Sequence, residues 1–213
     1  MIETVYFDED LKGDRMLITS HIIAFKGLHF GTDMIDGLSS FSHRESVNAI
    51  PRSASYRLSV FHGEKVITID CAGWFWFGEK DYQRLCAATW TAVGTRLVAE
   101  ALQRLTSGGQ LTFSSGGGLE KRTTVTIARR GIHVQQAGLI LKKDLEIEWQ
   151  HLKAVFSNGS YFLTNYATKK TVGFSLAHMK NNIIFSSVIG MLLDKAAYRT
   201  FFSYLDLPVS KLS

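Results

Sequence analysis

Apolar and polar residues alternate in short stretches over the first third of the chain, a pattern typical of β-strands with one buried face. The clearest alternation covers residues 55–61, and residues 65–70 repeat it after the turn residues His62, Gly63 and Glu64. A glycine-containing turn between two such runs predicts a β-hairpin. Shorter apolar runs bounded by glycine predict further strands over 16–25, 28–30 and 39–42. We therefore expect an antiparallel meander in this part of the chain.

The period changes at Asp81, from which apolar residues recur at steps of three and four, as they do on one face of a helix. The predicted buried stripe consists of Tyr82, Cys86, Trp90, Val93, Leu97, Ala101 and Leu105. Gly108 and Gly109 follow and predict the end of the helix. Phe77 precedes the helix, and we expect it to pack on the first turns as a hydrophobic staple. The sequence thus predicts one long helix over 81–105.

The same plan recurs in the second half of the chain. Residues 114–118, Ser-Ser-Gly-Gly-Gly, are interpreted as a flexible linker, because a phosphate-binding loop would be followed by Lys-Ser/Thr and a helix. Further strands are predicted over 123–128, 131–135, 139–141, 145–149, 153–156, 161–164 and 171–175. A second helix over 182–205 follows, with Asn181 or Asn182 as its N-cap. This repetition predicts an α+β fold of two domains, 1–108 and 109–213.

Charge divides at the same boundary. Residues 1–108 carry 11 Lys/Arg against 13 Asp/Glu, whereas residues 109–213 carry 13 against 6. The first domain is therefore mildly acidic and the second is basic. This asymmetry predicts either an anionic partner for the second domain or attraction between the two halves.

Composition limits the class of protein. Hydrophobic residues make up 46% of the chain and charged residues 20%, as in ordinary globular proteins, which excludes a disordered or fibrous chain. The longest apolar run, 183–193, is too short to span a membrane. The first residues lack the pattern of a secretory signal, so we expect a cytoplasmic protein. Cys71 and Cys86 lack metal or disulfide-type spacing and are expected to be reduced thiols.

The predicted order of elements resembles that of a pleckstrin homology-like (PH-like) domain, in which one C-terminal helix closes a bent antiparallel sheet of six or seven strands. Trp90 is similar to the helix tryptophan of that superfamily, and residues 147–149 with Leu152 and Val155 look like a strand-and-turn segment of bacterial PH-like families. The second helix lacks a tryptophan, whose place Phe185 or Met191 would fill. The resemblance covers almost all of both halves and implies two tandem PH-like domains.

Three basic pairs lie at predicted turns of the second domain: Arg129 and Arg130, Lys142 and Lys143, and Lys169 and Lys170. Because lipid-binding PH domains hold phosphoinositide head groups with basic side chains at their turns, the resemblance makes these pairs candidates for an anionic lipid site. Solvated turns are the alternative, since the basic spacing of lipid-binding members around the first hairpin is missing. Nucleic acid is not an expected partner, because stacking aromatics do not alternate with these charges.

Aromatic and apolar surfaces offer other contacts. Trp74 and Trp76 belong to four consecutive large aromatics, which either pack in the core or contact a partner, the other domain or a membrane interface. The second helix carries two apolar stripes and therefore needs cover on two sides. The first domain would provide the second cover, or a second copy of the chain would do so in a homodimer.

Motifs for catalysis are missing from the sequence. We find no nucleophile elbow and no metal-type spacing among the seven histidines, and we predict no catalytic residue, metal ligand or cofactor. Glu146 and Glu148 fall on one face of a strand and are interpreted as a solvated face, opposite Ile147 and Trp149. The predicted function is a non-catalytic protein-interaction or scaffolding module. The alternatives are a peripheral membrane module that binds anionic lipids through the basic turns, and a small-molecule-binding or hydrolytic protein with a pocket between the domains.

Overall fold

Antiparallel strands followed by a helix occur twice in the computed structural model of the chain. The structure describes residues 3–11, 13–47, 50–73, 77–115, 122–137, 142–177 and 179–193, with the backbone alone at 44–47, 50–53, 72–73 and 77–78. Backbone contacts divide the chain into two compact units, Met1–Val98 and Ala99–Ser213. The division falls within a helix and lies N-terminal to the predicted boundary at 108.

Two antiparallel sheets form the first unit within the described residues. Its strands are β1 Val5–Leu11, β2 Asp14–Thr19, β3 Ile22–Phe25, β4 Leu28–Gly31, β5 Gly37–Val47, β6 Ile50–His62 and β7 Lys65–Gly73. One sheet has the order β1-β2-β3-β4 and the other β5-β6-β7, so each strand pairs with the next along the chain. Gly63 opens the β6–β7 turn with a φ of +58°, a conformation that glycine adopts without strain. The predicted hairpin over 55–70 is confirmed.

The helix that follows is interrupted by one wider turn. It consists of α1 Phe77–Thr89, a π-helical turn Trp90–Gly94 and α2 Thr95–Thr106. It ends where the sequence predicts: Gly108 has a φ of +84°, and the N–H of Gly109 donates to the carbonyl of Arg104 at 2.9 Å. These are the features of a Schellman C-cap.

The π-helical turn shifts the buried face of this helix. From the turn onward the predicted stripe is buried, at Val93, Leu97, Ala101 and Leu105. Before the turn the buried residues are instead Leu85, Ala88 and Thr89, and the predicted Tyr82, Cys86 and Trp90 are only half-buried. A π-helical turn holds one more residue than a regular one, so it moves the buried face by one position. The predicted stripe is therefore wrong before residue 93.

The second unit repeats the arrangement of four strands, three strands and a helix. Its elements are β8 Leu111–Ser115, β9 Arg122–Ala128, β10 Gly131–Ala137, β11 Lys142–Glu148, β12 Leu152–Ser157, β13 Ser160–Asn165, β14 Lys170–Ser175 and α3 Asn182–Leu193. The sheets have the orders β11-β10-β9-β8 and β12-β13-β14, and we call them the β8–β11 sheet and the β12–β14 sheet. Asn158 and Gly159 form the predicted turn between β12 and β13, both with positive φ.

Phe185 of α3 lies at the centre of the second core. Its side chain is fully buried, and its ring centroid lies 5.2 Å from that of Phe113, 5.3 Å from Tyr161 and 5.8 Å from Phe174. These distances and the steep angles between the rings are those of favourable edge-to-face pairs. Because the three partners belong to β8, β13 and β14, Phe185 connects the helix to both sheets. Met191, the other residue considered for the central place, is 43% exposed.

Several predicted boundaries are wrong. Ser114 and Ser115 belong to β8 and not to a linker, and Phe77 begins α1 and does not precede the helix. Trp149 begins a 3-10 turn, Trp149–His151, after β11 has ended. The predicted strand over 16–25 is two strands, β2 and β3, and each unit has two sheets where one was predicted. The predicted strand 139–141 and the helix beyond Leu193 lie outside the described residues.

Candidate functional site

Two of the basic pairs lie at opposite ends of the β8–β11 sheet. Arg129 and Arg130 form the turn between β9 and β10, whereas Lys142 and Lys143 begin β11. The predicted turn at these lysines is therefore wrong. The intervening strand β10 has seven residues, so the two pairs are about 20 Å apart. They cannot hold one head group together.

The third basic pair, Lys169 and Lys170, lies at the turn between β13 and β14. Asn165 organises this turn, because its Oδ1 accepts hydrogen bonds from two backbone N–H groups of the turn at 2.9 and 3.2 Å. The Nζ of Lys169 lies 5.9 Å from the ring centroid of Tyr166, within cation–π range. The Lys169 ammonium is thus partly engaged within its own turn.

Arg122 is a basic residue that the sequence analysis missed. Arg122 of β9 and Lys142 of β11 are both cross-strand partners of Ala137 in β10. Opposite residues of antiparallel strands share a face, so the two cations flank Ala137 on one face, about 10 Å apart. The sequence signal is a fourth basic dipeptide at 121–122, but only the strand register shows which other cation lies on the same face.

The predicted contact residues Trp74 and Trp76 lie outside the described residues. Trp149 has a structural role: its indole Nε1–H is shared between the carbonyls of Ala128 and Arg129, each at 3.1 Å. This tryptophan therefore fixes the backbone of the turn that carries the first basic pair.

Exposed apolar side chains gather on the β12–β14 sheet, a feature that the sequence analysis missed. Val155 is 44% exposed, Phe156 58% and Phe162 43%. Val155 and Phe162 share one face of the sheet and Phe156 lies on the other, and we call these three residues together the β12 patch. Val155 and Phe162 are cross-strand partners, and the ring of Phe162 lies over Gly173 of β14, where a Cβ atom would come within 2.8 Å of it. The signal in the sequence is the consecutive pair Val155 and Phe156, since one face of a strand can bury only one of two neighbours.

The predicted solvated face of β11 is confirmed. Glu146 and Glu148 are exposed, and Ile147 between them is fully buried. His133 of β10 lies on the same face and contacts Asp144, with Nε2 to Oδ1 at 2.5 Å. The hydrogen bond from His133 lowers the pKa of the Asp144 carboxyl below its usual value.

Cys86 and Tyr82 lie between α1 and the sheet of β5–β7. The rings of Tyr82 and Tyr56 stack with centroids 4.9 Å apart, and Tyr56 is the cross-strand partner of Cys71. Burial raises the pKa of the Cys86 thiol to about 11 and also raises the pKa of Tyr82. Both groups are therefore protonated at neutral pH, the opposite of an activated nucleophile.

In the described part of the chain, no three His, Cys, Asp or Glu side chains are placed to hold a metal ion. None of the described helices is both long and apolar enough to cross a membrane. The sequence matches no model of a known protein family and no curated protein.

Proposed function

We propose that the chain is a non-catalytic protein-interaction module of two PH-like domains, and that a partner binds along the edge of β12. The order of four strands, three strands and a helix in each unit supports the PH-like assignment. The β12 patch carries the functional part of the proposal.

Strand β12 offers both a backbone edge and apolar side chains. It pairs with β13 on one side, and within the described residues no strand pairs along its other edge. Unpaired strand edges accept an added strand, whose main-chain hydrogen bonds give affinity while alternate side chains give specificity. Val155 and Phe156 point to opposite faces, so an added strand would bury apolar area on both.

The charge of the second unit indicates the chemistry of the partner segment. Lys153 is exposed and lies on the same face as Val155, two residues away on β12. Residues 109–213 carry 13 Lys/Arg against 6 Asp/Glu. The partner segment is therefore an extended stretch in which apolar side chains alternate with acidic ones.

The half-buried Cys86 thiol lacks the properties of a nucleophile. A nucleophilic cysteine needs a lowered pKa, whereas burial raises that of Cys86 to about 11. Tyr82 hydrogen-bonds the backbone carbonyl of Arg57 at 3.4 Å and stacks on Tyr56. These contacts are those of core packing.

Photo-crosslinking in cells of the native host tests the proposal. Benzoylphenylalanine replaces Phe156 or Phe162 with little change of shape, and we expect it to capture the same partner protein at both positions. The captured peptide should contain alternating apolar and acidic residues. Val155→Thr keeps a β-branched residue but removes apolar surface, and it should reduce this capture.

Controls come from the first unit. Benzoylphenylalanine at Tyr6 should not capture that partner, and Val66→Thr, also at an exposed position of an edge strand, should leave capture at Phe156 unchanged. Equal capture from Tyr6 and Phe156, or no capture at Phe156, would overturn the assignment of β12 as the binding edge.

A second candidate function is binding to anionic membranes through Arg122 and Lys142. Its support is their common face beside Ala137. We expect sedimentation with phosphatidylserine vesicles, weakened by salt, and no sedimentation with phosphatidylcholine. The double variant Arg122→Gln/Lys142→Gln should lose binding, while Arg129→Gln/Arg130→Gln, which removes the same charge at the other end of the sheet, should keep it. Equal losses in the two variants would indicate unspecific attraction.

A further inference from the structure

The outer face of the β8–β11 sheet contains a polar depression with a volume of about 230 Å³. Two rows of cross-strand partners line it: Thr126, His133 and Glu146 in one, and Ala128, Gly131 and Glu148 in the next. Gln110, Arg130, Ile132 and Ile147 complete its lining. Pockets for drug-sized ligands hold roughly 300–1,000 Å³, so a ligand here is smaller, about the size of one amino acid.

Two opposite charges in the depression lack a partner. Among the described residues, neither the Arg130 guanidinium nor the Glu146 carboxylate makes an ion pair or a side-chain hydrogen bond. The neighbouring Glu148 accepts a hydrogen bond from Gln150 at 2.7 Å. The depression therefore holds one available cation and one available anion.

The backbone at both charges is fixed. The carbonyl of Arg130 accepts a hydrogen bond from the N–H of Trp149 at 3.4 Å, and the carbonyl of Glu146 accepts one from Nδ2 of Asn165 at 3.1 Å. Gly131 lies next to Arg130, and a Cβ atom there would come within 2.1 Å of the carbonyl oxygen of Ile147. Only glycine fits at this position, and the backbone that carries the two charged side chains is in place before a ligand arrives.

We propose that this depression binds a small zwitterion of amino-acid size, with its carboxylate on Arg130 and its ammonium on Glu146. A ligand with only a negative charge would be repelled by Glu146, and a ligand with only a positive charge would be repelled by Arg130. A zwitterion makes a charge-assisted hydrogen bond to each, the stronger kind of hydrogen bond. Thr126 and Gln110 offer donors and acceptors to the rest of the molecule.

Titration of the full chain with three probes, followed by ¹H–¹⁵N NMR, tests the proposal. L-alanine should shift the amide signals of Gly131 and His133 at millimolar concentration. N-acetyl-L-alanine, which lacks the ammonium, and L-alaninamide, which lacks the carboxylate, should each bind about tenfold more weakly, as expected for the loss of one charged hydrogen bond. Equal binding of the three probes, or no shift with L-alanine, overturns the proposal.

Single substitutions test whether Arg130 contacts the carboxylate of the ligand and Glu146 its ammonium. Arg130→Gln should weaken L-alanine and N-acetyl-L-alanine but leave L-alaninamide unchanged, and Glu146→Gln should weaken L-alanine and L-alaninamide but leave N-acetyl-L-alanine unchanged. Lys143→Gln, an exposed change on the same strand outside the depression, is the matched control and should bind all three probes as the wild type does. If a variant loses its dispersed spectrum, the probe series on the wild type still decides between a zwitterion and a single charge.

Discussion

The two closing helices are attached to their strands by different physical means. The helix of the first unit adds polar contacts to its apolar buried face: Arg96 donates two hydrogen bonds to backbone carbonyls, and Tyr82 and Cys86 lie half-buried against the sheet. The helix α3 of the second unit uses apolar contacts centred on Phe185. The described residues of α3 contain no ionisable side chain. One order of elements therefore supports two kinds of core, and the two helices should respond differently to mutation and to pH.

Arg96 shows why the first helix needs its π-helical turn. The extra residue places Val93 and Leu97 on the buried face, and Arg96 lies between them at the edge of that face. Its Nη2 donates to the carbonyl of Thr32 at 2.9 Å and to that of Ile35 at 2.6 Å. These carbonyls belong to the 3-10 turn and its C-cap between β4 and β5. The helix is thus hydrogen-bonded to the connection between the two sheets of the first unit.

The largest effect is expected from Phe185→Ala. Removal of a fully buried ring leaves a cavity that touches both sheets, and the expected loss of stability is about 3–5 kcal/mol. Amide hydrogen exchange of the full chain should rise in β8, β13, β14 and α3, which the aromatic cluster connects. The first unit should keep its protection.

Met191→Ala is the matched control for this change. Met191 lies on the same helix and is 43% exposed, so its loss should cost less than about 1 kcal/mol. Similar destabilisation by the two variants would argue against Phe185 as the centre of the second core.

Arg96→Met should have an intermediate effect, because it keeps the aliphatic stem but leaves two carbonyls without their charged donor. The expected loss is about 2 kcal/mol, within the range for hydrogen bonds to charged groups. Faster hydrogen exchange should be confined to residues near 32–37 and to α2. Arg104→Met, an exposed change on the same helix, should leave exchange unchanged; a matching increase there would show that helix propensity and not the carbonyl contacts is responsible.

Periodicity predicts the hairpins and the helices but not the shift inside the first helix. The signal for that shift is Gly94, four residues after Trp90, where a Cβ atom would come within 2.3 Å of the tryptophan ring. In the sequence, a glycine that is required because a neighbouring side chain leaves no room for a Cβ atom cannot be told from any other small helical residue. The buried stripe before residue 93 could therefore not be assigned without coordinates.

The sequence pattern does not predict strand β1, because its acidic residues are typical of a solvent-exposed segment before the first strand. Asp8 makes a two-pronged ion pair with Arg15 of β2, at 2.7 Å for each hydrogen bond, and Glu9 pairs with Arg84 of α1. Phe7 is the buried residue that holds the strand to the core. Acidic residues are rare in strands, and the cations of β2 and α1 compensate the charges of this edge strand.

The candidate sites, too, could not be assembled from the sequence alone. Sequence located the basic pairs near turns, but the end of the sheet at which each turn lies depends on strand order and register. Arg122 and Lys142 are brought together by their shared partner Ala137, while Arg130 and Glu146 meet in one depression. Residues 16 to 20 positions apart in the sequence acquire a common site only through these pairings.

The smallest expected effect is a loss of stability of the first unit at alkaline pH. Burial raises the pKa of Cys86 from its ordinary value of 9.0 to about 11. The unfolded thiol ionises above pH 9 while the folded one stays protonated, so this contribution is complete below pH 9 and is lost as the pH rises toward 11. Between pH 8 and pH 10 the free energy of unfolding should fall by about 1 kcal/mol through this group.

Urea unfolding of the wild type and of Cys86→Ala at pH 8 and pH 10 measures this contribution. It is the difference between the two proteins in how much unfolding free energy each loses from pH 8 to pH 10. The variant should be less stable at pH 8 because it loses buried sulfur, yet it should lose about 1 kcal/mol less than the wild type on going to pH 10. Tyr82 remains in both proteins, and burial, the main cause of its raised pKa, remains as well, so most of its contribution cancels in the comparison. Because α3 has no ionisable group in its described residues, the extra loss should appear as earlier unfolding of α1 and β5–β7. An identical pH dependence in the two proteins would place the Cys86 thiol in contact with water and remove this distinction between the helices.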